Sequence, residues 1–141
     1  MSTTYFAVLA RTREPGVALR RFLALDAAVT GANGLAYLAL SGPLGDLLGA
    51  GSGLLLALGA ALALYAAAVG LLAGRREPSA TGVRTVVAAN LAWAVLSLAA
   101  LVLWLSPTTA GAVWTVAQAL VVAGFALAQH RSLRERQSAR P

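Results

Sequence analysis

Asp26, Thr30, Asn33 and Tyr37 follow one another at spacings of four, three and four, which on a helix sets a carboxyl, a hydroxyl, an amide and a phenol on one face. The residues around them are almost wholly apolar. An ionisable side chain inside a bilayer costs at least about 2.5 kcal/mol at mid-depth, so Asp26 needs a partner or a use. The partners in reach of a membrane helix are Arg20, Arg21 and Arg84, or the amide of Asn90. The use would be coupling to a proton or a bound cation. Asn90 and Ser97, together with Thr115, Gln118 and Gln129 further along, could complete a polar stripe. Such a stripe faces protein or water. It either supplies interhelical hydrogen bonds worth about 0.6 kcal/mol each or forms the wall of a narrow hydrated pocket.

Other chemistry has little to work with. The chain has no cysteine, which removes disulfides, thiolate nucleophiles and Cys-ligated metal. Its one histidine, His130, sits beside Arg131 and reads as an interface residue; no metal ligand set is expected and no cofactor. Gly49-Ala50-Gly51-Ser52-Gly53 superficially resembles a phosphate-cradling loop, yet no Gly-Lys-Ser/Thr follows it. It reads as a loop or helix lead-in, and Leu44, Asp46, Leu47 and Leu48 before it could form a short interfacial helix.

The elements that must position the stripe are membrane helices. Hydrophobic residues make up 59% of the 141, charged residues only 11%, and mean hydropathy is +0.75. A spanning helix needs about 20 mostly apolar residues, and four segments qualify: about 22–40, 53–73, 85–105 and 110–129. Ser41-Gly42-Pro43, Gly74 and Ser106-Pro107-Thr108-Thr109 punctuate them, and either threonine could cap the fourth. In lipid every backbone group must be bonded within its own segment, so the fold class is all-α, a four-transmembrane-helix bundle in one domain.

All eleven cationic residues are arginines, and they fall in three clusters. Arg11, Arg13, Arg20 and Arg21 precede the first span; Arg75, Arg76 and Arg84 lie between the second and third; Arg131, Arg134, Arg136 and Arg140 follow the fourth. Short basic loops stay in the cytoplasm, so both tails are expected inside a cell inner membrane. The net charge of +6 then serves anionic inner-leaflet lipids rather than nucleic acid. A basic stretch before an apolar one also suits a signal peptide, although the first span is long for that and contains Asp26. Tyr5, Phe6, Val8 and Leu9 could make an interfacial anchor. Residues 131–141 are expected to fray after a turn or two.

Displacing the chain by 64 positions pairs Arg20 with Arg84, Asp26 with Asn90, Asn33 with Ser97 and Pro43 with Pro107. The match suggests two tandem helical hairpins related by a pseudo-two-fold along the membrane normal. Spans two and four align only if the first outer loop is several residues longer. Small residues at spacing four, as in Gly59, Ala63 and Ala67, indicate close helix packing. Trp104 and Trp114 read as an outer aromatic belt, Trp93 as core or lipid-facing.

The stretch from Arg20 through Asp26 and Asn33-Gly34 to Ser41-Gly42-Pro43, with Leu105 to Gly111 later, resembles small four-span integral membrane proteins of actinobacteria. That group has no characterised role and brings no catalytic residue with it. Arginine without lysine in an Ala-, Leu- and Gly-rich chain suits a GC-rich bacterial source. The single acid in span one is also similar to small multidrug resistance transporters, from which this chain departs in length, in Asp for Glu and in its strong arginine asymmetry. Two functional expectations follow. One is a non-enzymatic scaffold, assembly factor or accessory subunit of a larger membrane complex. The other is a small transporter or channel, acting as a homodimer, with Asp26 as the coupling or binding carboxylate.

Overall fold

In a computed structural model, residues 16–103 and 106–139 are described. They form five helices and, among the described residues, no strand: α1 (Gly16–Ala39), α2 (Ser41–Leu48), α3 (Ser52–Ala73), α4 (Ala80–Leu103) and α5 (Thr109–Ser138). All but α2 are long and apolar enough to cross a membrane. The protein is therefore an all-α four-helix bundle of the multi-pass membrane type. The expected anchor at residues 5–9, Arg11, Arg13, Trp104 and Arg140 lie outside the described residues.

These helices carry apolar side chains around most of their circumference rather than on one stripe, as expected where lipid replaces water outside. Leu71 and Val102, 76% and 81% exposed, would be costly on a protein in water and are at home against acyl chains. What is buried includes small and polar residues beside a limited set of leucines and valines. Gly34 of α1 meets Gly59 of α3 so closely that a Cβ on Gly59 would lie 2.8 Å from the Gly34 carbonyl oxygen. Of the small-residue spacing seen in the sequence, Gly59 and Ala63 lie at the α1–α3 contact, whereas Ala67 is exposed.

α1 packs mainly on α3, and α4 mainly on α5; α1 also meets α5, whereas α3 and α4 touch only slightly and the backbones of α1 and α4 do not approach closely. The result is two hairpins side by side. α1 and α4 begin and end 64 residues apart. The same offset relates the buried pairs Leu19 and Val83, Leu55 and Ala119, Leu62 and Ala126, and Val69 and Leu133. The first outer connection, residues 40–51, is longer than the second, residues 104–108, as expected, yet spans two and four align at the same offset without any shift. The halves fill the same length of chain differently: α2 and its turn in the first, the opening turns of α5 in the second.

That turn is built by Gly49, whose φ of 71° lies in the left-handed region. Thr108 then joins the halves. Its hydroxyl caps α5 by accepting from Gly111 N at 3.1 Å and donates to Leu47 O at 2.6 Å.

At the opposite end, where the arginines lie, α5 continues to Ser138, two turns past Arg131 and so about as far as the sequence suggested, but its last two turns are packed rather than solvated. Gln129, Ser132, Leu133 and Arg136 recur at spacings of three, one and three and are buried. The aliphatic stem of Arg136 takes the place of an apolar residue, while its Nη1 donates to Pro78 O at 2.7 Å. Arg20 closes the same end by donating from Nε to Ala73 O at 3.1 Å. Arg21, Arg75, Arg76, Arg84 and Arg131 are exposed there.

Candidate functional site

Asp26 lies ten residues into α1, about 15 Å along the helix at 1.5 Å per residue, and is fully buried. Among the described residues no arginine bonds to it. Its Oδ2 accepts from Asn90 Nδ2 and from Gln129 Nε2, both at 2.8 Å, and its Oδ1 accepts from the Thr30 hydroxyl at 3.0 Å. Asn90 Nδ2 also donates to Gln129 Oε1 at 3.1 Å. The Asn90 Oδ1 accepts from the Tyr65 hydroxyl at 2.9 Å. Asp26 and Thr30 of α1, Tyr65 of α3, Asn90 of α4 and Gln129 of α5 thus meet in a single node, to which every span contributes. Of the pairings weighed for Asp26, the amide is realised; Arg20 goes to a backbone carbonyl, and Arg21 and Arg84 face outward.

The node obeys the internal repeat. Asp26 and Asn90 are 64 residues apart, and so are Tyr65 and Gln129. In each hairpin the first span supplies the short side chain and the second the longer one that reaches across. Tyr65 was missed by sequence reasoning, although it is the only polar side chain of its span between Ser52 and Arg75 and sits at the repeat position of Gln129.

Towards the end away from the arginines, the node floors a cavity of about 750 Å³ lined by all four spans. Half of its wall is alanine and valine, and Asn33, Tyr65, Asn90, Trp93, Trp114 and Gln118 are among the residues that interrupt them. Thr30 and Asn90 stand in the wall; Asp26 does not and lies one layer behind them. Trp93 Nε1 donates to Gln118 Oε1 at 2.8 Å, and Gln118 Nε2 donates to Thr115 O at 3.0 Å. Trp114 Nε1 donates to the Tyr37 hydroxyl at 2.7 Å, tying α5 to α1. Below the node Leu19, Leu23, Val69, Val83, Val86 and Leu133 pack into an apolar plug.

The sequence-derived stripe is therefore divided by the structure. Asp26, Thr30 and Asn90 belong to the node, Asn33 and Gln118 to the cavity wall, and Tyr37 to a buried cluster with Leu55 and Leu62. Ser97 joins none of these: it is half-buried on α4 and makes no side-chain hydrogen bond among the described residues. The wall contributed by α1 runs to Ala36, whereas that of α4 stops at Trp93, a full turn short of Ser97. Trp93 is thus a wall residue rather than a lipid anchor.

Chemically, a carboxyl held by two amides and a hydroxyl can fix helix positions or hold a proton. Among the described residues no three His, Cys, Asp or Glu side chains gather to hold a metal ion. No family model matches the chain, and neither a curated protein nor a solved structure resembles it.

Proposed function

We propose that the protein is a small, non-enzymatic carrier that takes a mostly apolar small molecule into the cavity between its two hairpins. The observation that supports this reading is the position of the cavity. It lies at the interface of two tandem repeats, above a polar node to which every span contributes. Parallel repeats related by an axis along the membrane normal commonly place their substrate there. A volume of about 750 Å³ falls within the usual range for a small-molecule site, about 300–1,000 Å³. A scaffold has no need of such a void. In this reading the arginine-rich end lies in the cytoplasm among anionic headgroups, and the apolar plug closes the cavity on that side.

The test is extraction. Protein purified in mild detergent would be treated with organic solvent and the extract analysed by mass spectrometry, beside an Ala117→Phe variant whose added ring intrudes into the cavity from its wall. A small molecule retained near one per chain by the wild type and lost from the variant is expected. Identical extracts from both would overturn the reading.

A further inference from the structure

The cavity wall carries hydrogen-bonding groups but no charge. Among its residues none is Asp, Glu, Lys, Arg or His. The nearest carboxyl, Asp26, stands behind the wall, with Oδ2 receiving two amides and Oδ1 a hydroxyl. A cation in the cavity would therefore have to break this node to reach its counter-ion. A neutral molecule would not.

The wall's hydrogen-bonding groups are unequally occupied. Asn90 spends its amide on Asp26 and Gln129 and its oxygen on Tyr65. Gln118 accepts from Trp93 and donates to Thr115. Thr30 donates to Asp26. Asn33, half-buried in the same wall, makes no side-chain hydrogen bond among the described residues. Its amide offers a donor and an acceptor together. Around it run alanines and valines and the rings of Trp93 and Trp114, which suit an alkyl or aryl body.

We infer that the occupant is an uncharged lipophile bearing one hydroxyl-type head, held by the Asn33 amide, with its apolar body against Trp93 and Trp114. The inference rests on the carrier reading and narrows it to a ligand class. It also separates this cavity from one built for lipophilic cations, which would need a carboxylate in its wall.

Three ten-carbon probes with a terminal bromine test it, because bromine quenches tryptophan fluorescence on contact and two tryptophans line the cavity. One probe is 10-bromodecan-1-ol, the second carries a trimethylammonium head, and the third, 1-bromodecane, has no head. Each would be titrated into the wild type, Asn33→Ala and Ala117→Phe in nanodiscs of neutral lipid. Saturable quenching by the alcohol is expected in the wild type and not in Ala117→Phe. The alcohol should bind at least fivefold more tightly than the ammonium probe. Asn33→Ala should weaken the alcohol about fivefold, the loss of one hydrogen bond, and leave 1-bromodecane unchanged. Ammonium binding equal to or tighter than the alcohol would overturn the inference, as would an alcohol affinity indifferent to Asn33→Ala; both leave a binding cavity in place. If no probe quenches the wild type more than Ala117→Phe, the carrier reading itself fails and the inference with it.

Discussion

Replacing Asp26 separates a hydrogen-bonded node from an ion-paired one. Asp26→Asn keeps an oxygen that can accept from Asn90 and Gln129, while the new amide can donate to the Thr30 hydroxyl in place of receiving from it. All three contacts survive, so a loss below about 1 kcal/mol is expected. Asp26→Leu removes them all. Asn90 Nδ2 retains Gln129 Oε1, and Thr30 can turn to a carbonyl one turn back, but Gln129 Nε2 is left unpaired in the interior. Two lost interhelical bonds at about 0.6 kcal/mol each and one orphaned donor at about 1–3 kcal/mol give a cost of about 2–4 kcal/mol. Reversible unfolding by SDS in mixed micelles, followed through tryptophan fluorescence, measures both. Equal losses for the two variants would refute the reasoning, because they would mean that negative charge and not hydrogen bonding holds the node.

Other outcomes follow from individual contacts. Gly59→Leu puts carbon within 2.8 Å of the Gly34 carbonyl oxygen; α1 and α3 must separate, and a loss of more than about 3 kcal/mol or aggregation on size exclusion is expected. Tyr65→Phe removes a bond of 2.9 Å to Asn90 and should cost about 0.6 kcal/mol in the same SDS assay, leaving the fold intact. Arg136→Ala frees the last two turns of α5 from Pro78. Hydrogen exchange at residues 131–138 should then rise at least tenfold while that of residues 115–125 stays unchanged.

Much of this was legible before any coordinates. The four spans follow from hydropathy and the backbone's need for internal partners. The 64-residue displacement placed Asp26 opposite Asn90 because in a duplicated hairpin the equivalent positions of α1 and α4 face each other across the repeat axis. What was hidden has physical causes. Residues 131–138 look like a solvated tail because a scale that scores arginine and glutamine as polar overlooks the aliphatic stems that bury Gln129 and Arg136. Tyr65 was passed over because a phenol in a leucine-rich span scores as apolar, although its hydroxyl must find a partner in lipid. Ser97 shares the repeat position of Asn33 but not its surroundings, since only the first half carries α2 and the α4 wall ends at Trp93. The cavity could not have been read at all: it is a volume left over where four helices fail to close, and no spacing records it.

The central claim is that four spans converge on one carboxyl through neutral amides. Magic-angle-spinning NMR in lipid bilayers tests it directly, since the chain has only two Asp, two Asn and three Gln residues and selective labelling leaves few ambiguities. Cross-peaks from the Asp26 carboxyl carbon to the side-chain nitrogens of both Asn90 and Gln129 are expected. A cross-peak to an arginine guanidinium, or none to either amide, would contradict the account.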